Sequence, residues 1–391
     1  MQTQEHTIAL STTKGIDVGK LERELSAMWA TATDSGAGGT RSGVTRACVL
    51  NLVACTTHYD DRGALDDLLD EVIEHHPCRA LVLITERDAL EARLDAYVST
   101  RCQLSSKGAK QICGEQVTIE AAGRVVETAA SAVAPLLIPD VPVFLWWKDI
   151  PQYDDKLFKK LVALADRVIV DSRSFDQPYE DLLHLAEAVN GRSKGIHFSD
   201  LNWGRLTAWR TLLAGFWDVP EYRPHLDNID RVHIAYEQPR ENSAPVAVGT
   251  LLAVGWLAAQ LNWELATSET TPTEGGMQRI GFRKGERLIT IELQPVPVLN
   301  EGDPMIVSTS LTASEGDAEF YVKLKPERTK LVTGARIGGD AHDAGHVLTY
   351  EAKSEGERLS RELNFLARDT AYEKALTKAS RIIEALRLHQ R

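Results

Sequence analysis

Short, almost unbroken apolar runs alternate with helix-period segments through the first half of the chain. Arg46–Cys55 reads RACVLNLVAC, Ala80–Thr85 reads ALVLIT, Val143–Trp147 reads VFLWW and Arg167–Asp171 reads RVIVD. Runs of this kind suit strands covered on both faces, as in parallel sheets. Between them, apolar residues recur at helical spacing. Val18, Leu21, Leu25, Met28 and Trp29 mark a helix over Asp17–Ala30. Leu65, Leu68, Leu69, Val72 and Ile73 mark another, closed by His75-His76-Pro77, and Asp154–Ala165 and Tyr179–Val189 repeat the pattern. A short strand over Gly195–Phe198 completes the series. The alternation predicts a mainly parallel sheet with flanking helices. Leu94–Glu120 interrupts it with two strands, around Ala96–Leu104 and Gln116–Glu120, expected as an antiparallel insertion or an added sheet edge.

The texture changes after Trp217. The stretch DVPEYRPHLDN concentrates proline and charge and places a junction between Asp218 and Asp230. Beyond it come a strand at Arg231–Glu237, an apolar helix at Val246–Leu261, and strand candidates at Gln278–Phe282, Leu288–Leu293, Met305–Leu311, Glu319–Leu324 and His346–Glu351. Turn residues such as Lys284-Gly285 and Glu315-Gly316 separate some of these, as hairpins require. A long final helix is expected over about Glu355–Arg387, with Leu359, Leu363, Leu366, Leu376, Ile383 and Leu386 on its buried side. The fold class is therefore α/β for the first part and α+β, with an antiparallel sheet and a long C-terminal helix, for the second. The domains are set at 1–222, Rossmann-like but lacking a phosphate-binding loop, and 223–391. Neither an internal repeat nor a low-complexity tail is visible.

Length and composition agree with two globular domains: 391 residues, 43% hydrophobic and 26% charged. The net charge of −12 argues against nucleic acid as a partner, because phosphate backbones call for a basic footprint. Val246–Leu261 falls short of the roughly 18–20 apolar residues that cross a bilayer and contains Gly249, Thr250, Gly255 and Gln260, so no membrane association is expected. The five cysteines (Cys48, Cys55, Cys78, Cys102 and Cys113) are odd in number, lack a CxxC pair and follow no secretory signal pattern. A reducing, cytoplasmic location is expected.

Motifs for catalysis are sparse. A dinucleotide site needs a glycine-rich turn between a strand and its helix. The glycines at 36, 38 and 39 precede the first strand instead, and the turn after that strand, TTHYDDRG, offers only Gly63 beside two aspartates that would repel a pyrophosphate. No GxxxxGK[ST] or G-x-S-x-G motif is present. His342 and His346 flank Asp343 with the spacing of two metal ligands, but without a third ligand nearby the better reading is a solvated turn. His75 and His76, being adjacent, point in different directions. Cys78 reads as a small core residue. Asp60-Asp61, Asp66-Asp67 and Asp154-Asp155 read as turns and helix N-termini, which favour negative charge. No cofactor, no metal and no catalytic residue is expected.

Two stretches stand out. Leu136–Lys148 (LLIPDVPVFLWWK) puts adjacent tryptophans near a strand's C-terminal end, where α/β sheets form their binding crevices. Ser199–Arg210 (SDLNWGRLTAWR) packs tryptophans and arginines into a strand-to-helix junction, and these residue types are enriched at interface hot spots. Trp147, Asn202, Trp203, Arg205, Trp209 and Arg210 are the candidate partner-binding residues. The competing reading has the tryptophans in the core and the arginines paired internally.

These stretches also carry a resemblance. HPCRALVLI (His76–Ile84), ICGEQVTIEAAG (Ile112–Gly123), LIPDVPVFLWW, DRVIVDS (Asp166–Ser172) and SDLNWGRLTAWRTLLAGFWD (Ser199–Asp218) resemble, in the same order, blocks of the OpcA family. Its members are glucose-6-phosphate dehydrogenase assembly proteins of cyanobacteria and other bacteria. The second half resembles the family more loosely, in layout and in the final helix. The resemblance implies a non-catalytic partner that favours the active oligomer of glucose-6-phosphate dehydrogenase, and so NADPH production in the oxidative pentose phosphate pathway. Redox control through cysteines late in the chain does not carry over, because none follows Cys113. The alternative is a sugar-phosphate or nucleotide-binding α/β enzyme with a diverged phosphate loop, in which Arg79, Arg205 and Arg210 would cradle an anion. A purely structural scaffold is the third reading.

Overall fold

The fold was analysed in a computed structural model that describes residues 8–11, 16–34, 45–46, 48–104, 111–149, 154–191, 196–238, 244–269, 271–272, 276–298, 306–342, 346–351 and 353–388. The glycines at 36, 38 and 39, Asp343, and the side chains of Cys102, Cys113 and His342 lie outside the described residues. The early helices are α1 (Val18–Asp34), α2 (Arg62–His75), α3 (Ala130–Val133) and α4 (Lys156–Val162). Then come α5 (Pro178–Gly191), α6 (Leu201–Arg205), α7 (Thr207–Gly215) and α8 (Arg223–Leu226), followed by α9 (Val248–Gln260), α10 (Glu355–Leu363) and α11 (Thr370–Leu388). The chain divides into two compact units. The first comprises Met1–Val170, Arg192–Leu201 and Lys353–Arg368, and the second Asp171–Gly191, Asn202–Ala352 and Asp369–Arg391. The sequence suggests a single cut at 222/223, whereas these units exchange segments along the chain.

Among the described residues, nine strands form the sheet of the first unit. They are β1 (Ile8–Ser11), β2 (Thr45–Arg46), β3 (Leu50–Thr57), β4 (Cys78–Glu86), β5 (Arg93–Leu104), β6 (Gln111–Ala122), β7 (Val143–Trp147), β8 (Arg167–Val170) and β9 (His197–Asp200). Their order is β1-β5-β6-β4-β3-β7-β8-β9, with β2 also paired to β6. The six strands β6-β4-β3-β7-β8-β9 are mutually parallel. Ranked along the chain they run 3-2-1-4-5-6, the doubly wound order of Rossmann sheets. β5 is the expected insertion: it pairs antiparallel with β6 from Arg93↔Ala122 to Leu104↔Gln111 and carries β1 on its outer edge. Parallel strands covered on both faces need apolar residues at every position, and β3, β4 and β7 are buried almost throughout.

The stripe predicted at Leu65, Leu68, Leu69, Val72 and Ile73 is the buried side of α2 and joins one core with Leu52, Ala54, Ala80 and Val82. Each such side chain contributes about 2 kcal/mol on burial. Leu359 and Leu363 of α10 belong to the same core, so this late helix completes the first unit. α10 starts with a reciprocal cap between Ser354 and Glu357. It is tied to α2 by Ser354 Oγ donating to Glu71 at 2.6 Å and by a 2.8 Å hydrogen bond between His76 Nε2 and the Ser360 carbonyl.

Among the described residues, the second unit holds a ten-stranded sheet. Its strands are β10 (Arg231–Glu237), β11 (Glu264–Leu265), β12 (Thr271–Pro272), β13 (Gln278–Lys284), β14 (Arg287–Val296), β15 (Ile306–Ala313), β16 (Ala318–Leu324), β17 (Lys330–Ile337), β18 (Asp340–His342) and β19 (Val347–Thr349). The order is β11-β13-β14-β10-β15-β16-β17-β18, with β12 on β13 and β19 on β17. Among the described strands only the β10–β14 pairing is parallel; the others run antiparallel. One face is apolar and buried, with Ile289, Ile291, Leu293, Val232, Ile234, Leu311, Phe320 and Val322. Phe216, Trp217 and Tyr222 ring Phe320 at centroid distances of 5.4, 5.0 and 5.2 Å. The apolar stretch Val246–Leu261 is the buried helix α9. It meets α11 so closely that a Cβ on Gly255 would overlap the Ala375 carbonyl.

Two expectations change. The single helix over Glu355–Arg387 is two helices, α10 and α11. The apolar spacing lapses between Leu366 and Leu376, Phe365 and Leu366 are exposed, and the Asp369 carboxylate accepts the Tyr372 N–H at 2.8 Å to start α11 afresh. The strand β17 was absent from the expected set because Gly334 interrupts its pattern. Tyr321 of the neighbouring β16 lies across that glycine, leaving no room for a side chain.

Candidate functional site

In a doubly wound sheet the binding crevice opens at the C-terminal ends of the two strands where the order reverses, here β3 and β7. The turn after β3 would carry a dinucleotide's phosphates on the N-terminus of the following helix. In this chain its own carboxylates fill that place. Asp61 caps α2, accepting the N–H groups of Gly63 at 2.8 Å and Ala64 at 3.2 Å. Asp60 accepts the Thr57 N–H at 3.0 Å, the Thr57 hydroxyl at 3.1 Å and the Thr56 hydroxyl. Burial works to raise the Asp60 carboxyl, but the Thr56 and Thr57 hydrogen bonds and the charge of Lys148 outweigh it, leaving it below its ordinary value. The backbone donors that a phosphate would use are thus committed to fixed anions, as the aspartates of TTHYDDRG suggested.

The other chemical groups of the first unit are similarly engaged. Cys55 and Cys78 are fully buried, and burial pushes both thiols far up, so neither is a ready thiolate. Arg79 is 3% exposed and spends its donors internally. Its Nε reaches Glu115 at 2.8 Å, while its Nη1 reaches Glu22 at 2.6 Å and the Leu136 carbonyl at 2.9 Å. Trp29 Nε1 donates to the same Glu115 at 2.7 Å. Such a network is structural, and it removes Arg79 from the anion cradle considered above. Trp147, at the C-terminal end of β7, is 1% exposed and packs edge-to-face on Phe158 at 4.9 Å.

The remaining candidates come together in the second unit. Asn202 is 6% exposed, Trp203 and Trp209 are each 3% exposed, and Arg205 and Arg210 are half-buried. Arg205 makes a two-point pair with Asp171. Asn202 Nδ2 donates to the Ser172 hydroxyl at 3.1 Å. Arg210 lies over the Trp203 ring, 3.5 Å from its centroid, and Trp203 Nε1 donates to Asp369 at 2.8 Å. The tryptophans are therefore inside and the arginines paired internally, which is the competing sequence reading. Three partners went unrecognised in the sequence: Asp171, Ser172 and Asp369. The first two stand in the block DRVIVDS, directly after a buried strand, where a polar pair invites the question of what it holds.

Among the described residues no cluster of three or more His, Cys, Asp or Glu side chains is arranged to hold a metal ion. No described helix is long and apolar enough to cross a membrane.

A family model described as glucose-6-phosphate dehydrogenase subunit N-terminal domain matches residues 69–187, and its C-terminal counterpart matches residues 196–376. The OxPP cycle protein OpcA of Nostoc punctiforme is 32% identical over 326 residues, covering 81% of this chain and 67% of that protein. Its namesake from Synechococcus elongatus is 30% identical over 329 residues, covering 82% and 70%. Among solved structures, an NAD binding oxidoreductase from Klebsiella pneumoniae superposes with a TM-score of 0.49 at 9% identity, over 87% of this chain and 96% of that one. That likeness is too weak to carry an argument about chemistry. The two matching family models and the identity across four-fifths of the chain are decisive: the chain belongs to the OpcA family, whose members are associated with glucose-6-phosphate dehydrogenase assembly.

Proposed function

We propose that this protein is a non-catalytic accessory of glucose-6-phosphate dehydrogenase, binding the enzyme and raising its activity, and thereby NADPH production in the oxidative pentose phosphate pathway. Family membership supports glucose-6-phosphate dehydrogenase as the partner. The observation that carries the non-catalytic part is Asp61, whose carboxylate takes the N–H groups at the start of α2 that a dinucleotide phosphate would use. A sheet in the dinucleotide-binding order with its phosphate position filled from within suits a protein that recognises a dehydrogenase rather than acting as one.

Activation follows from differential binding. If the accessory holds the active form of the enzyme better than the inactive one, the population shifts toward the active form. A tenfold gain in substrate affinity corresponds to about 1.4 kcal/mol of coupling, well within what one interface of ordinary size supplies. Within this proposal Arg205 and Arg210, the less buried members of the Trp/Arg cluster, offer a partner only a small part of their surface. Trp147, Asn202, Trp203 and Trp209 act from inside, through the residues they hold. The deciding experiment is the steady-state rate of NADP reduction by the same organism's glucose-6-phosphate dehydrogenase, with and without this protein. A fall in KM or a rise in kcat, saturating at a fixed ratio of the two proteins, is expected. Unchanged rate, KM and oligomer size would reject the proposal.

A further inference from the structure

The sheet of the second unit has one apolar face and one whose longer polar side chains, Glu237 apart, stay exposed or half-buried. The registers fix which residues share the open face. Across one row Arg279, Glu292, His233, Ser310 and Tyr321 stand side by side on β13, β14, β10, β15 and β16, with Gly334 of β17 at the end. The next row runs Thr290, Arg231, Thr312, Glu319 and Arg336. Short hydroxyl side chains fill the middle. Tyr321 lies flat across Gly334, with the Lys323 ammonium 4.5 Å from its ring centroid. The surface is thus level. Its six longer strands, about 4.8 Å apart and seven to ten residues long, give it roughly 700 Å², close to the share one partner contributes to an interface of standard size.

Its charge runs against that of the whole chain. Among the described residues the open face carries six cations, Arg231, Arg279, Arg283, Lys323, Lys330 and Arg336, against the carboxylates Glu264, Glu292 and Glu319. Glu237 at its margin is closed off by a two-point pair with Arg328 and adds no net charge. Arg279 pairs with Glu292 at 3.1 Å and Arg336 with Glu319 at 3.0 Å. Arg231, Arg283 and Lys330 are exposed and have no ion-pair partner among the described residues, and Lys323 is exposed above Tyr321. The chain as a whole has net charge −12.

We infer that this face is the docking surface for an acidic protein surface and, resting on the function proposed above, that the surface belongs to glucose-6-phosphate dehydrogenase. A second copy is disfavoured as occupant, because a two-fold contact would set the basic face against itself. Nucleic acid is disfavoured by the acidic chain around the face and by the carboxylates within it.

The test is binding of the dehydrogenase to the full chain, by biolayer interferometry across a salt series. The variant carries Arg231→Glu, Arg283→Glu, Lys323→Glu and Lys330→Glu; the control, matched in charge, carries Lys159→Glu and Lys160→Glu on α4 with Lys374→Glu and Arg381→Glu on α11, all exposed. The four reversals should weaken binding at least tenfold at low salt and flatten its salt dependence, while the control stays within threefold of wild type. Should the fourfold reversal fail to fold, as judged by its melting curve, the variant with glutamine at the same four positions is expected to lose several-fold in affinity. Wild-type binding matched by the folded variant overturns the face assignment and leaves the proposed function standing. Equal weakening by the control overturns the assignment too, since total charge would then be the cause. Absence of wild-type binding rejects the proposed function, and this inference with it. Retention on single-stranded RNA that the four reversals abolish, with dehydrogenase binding unchanged, overturns the acidic-protein occupant in favour of nucleic acid.

Discussion

Asp171 and Arg205 face each other as a fork on a fork: Nη1 donates to Oδ1 and Nη2 to Oδ2, each at 2.7 Å. Both side chains are largely buried, at 13% and 10% exposure, so neither charge can be recovered by water once its partner is removed. Arg205→Ala is therefore expected to cost about 3 kcal/mol of stability, the range found when one member of a buried pair is deleted. Arg205→Lys should recover only part, because an ammonium cannot make the two-point contact. Urea unfolding of the three proteins measures both effects.

The cap on α2 is worth less. Asp61→Ala removes the acceptor for two helix N–H groups and should cost about 1 kcal/mol. Asp61→Asn, which keeps an acceptor oxygen, should cost a few tenths at most. The same denaturation series decides between a simple cap and a larger role in the turn.

Asp60 gives the stability of the turn a pH dependence. Its folded carboxyl is held below the ordinary value by the hydrogen bonds from Thr56 and Thr57 and by Lys148, against burial. A group so shifted stabilises the fold fully above its unfolded value, near 3.9, and loses the contribution as pH falls through the lower folded value. The stability difference between wild type and Asp60→Asn should be constant from pH 7 to about 5 and shrink below about pH 4. Denaturation curves at half-unit steps test the sign; a difference that grows on acidification would contradict it.

Two glycines should respond oppositely to the same substitution. At Gly255 the gain in helix propensity, about 1 kcal/mol, competes with overlap of the new Cβ and the Ala375 carbonyl. Overpacking wins, and Gly255→Ala should destabilise by about 1–3 kcal/mol. At Gly215 the backbone is α-helical and no atom beyond the local helix backbone and chain neighbours lies within 4 Å of the added carbon, so Gly215→Ala should stabilise by about 0.5 kcal/mol.

A filled phosphate position predicts indifference to nucleotide. A ligand present at 100 times its Kd adds about 2.7 kcal/mol, enough to displace a melting curve visibly. Millimolar NADP or glucose 6-phosphate is expected to leave the melting temperature of this protein unchanged. A rise of several degrees with NADP would revive the enzyme reading.

The parallel sheet was legible because strands such as Cys78–Glu86 and Val143–Trp147 are buried on both faces and announce themselves as apolar runs. β17 was not, since Gly334 makes sense only beside Tyr321, a neighbour that pairing supplies and sequence order does not. The helix break before Asp369 was hidden for a similar reason. Its carboxylate serves both the Tyr372 N–H and the Trp203 indole, and the second partner is 166 positions away. For the candidate site, residue types alone could not separate hot-spot tryptophans and arginines from buried ones, because the residues enriched at interfaces are also those that build cores. The open basic face was not legible because its charges are scattered in ones and twos over β10, β13, β16 and β17, and only the register gathers them.

The placement of α10 has a consequence for biosynthesis. Leu359 and Leu363 belong to the same core as Leu52 and Val82, some three hundred positions earlier in the chain. A ribosome releases the strands of this sheet long before the helix that covers them, so the nascent sheet waits with an apolar flank open until Leu363 has emerged. Expressing residues 1–222 alone would make that wait permanent. Such a fragment should accumulate as insoluble material, and co-expression of the missing segment is the natural means of rescuing it.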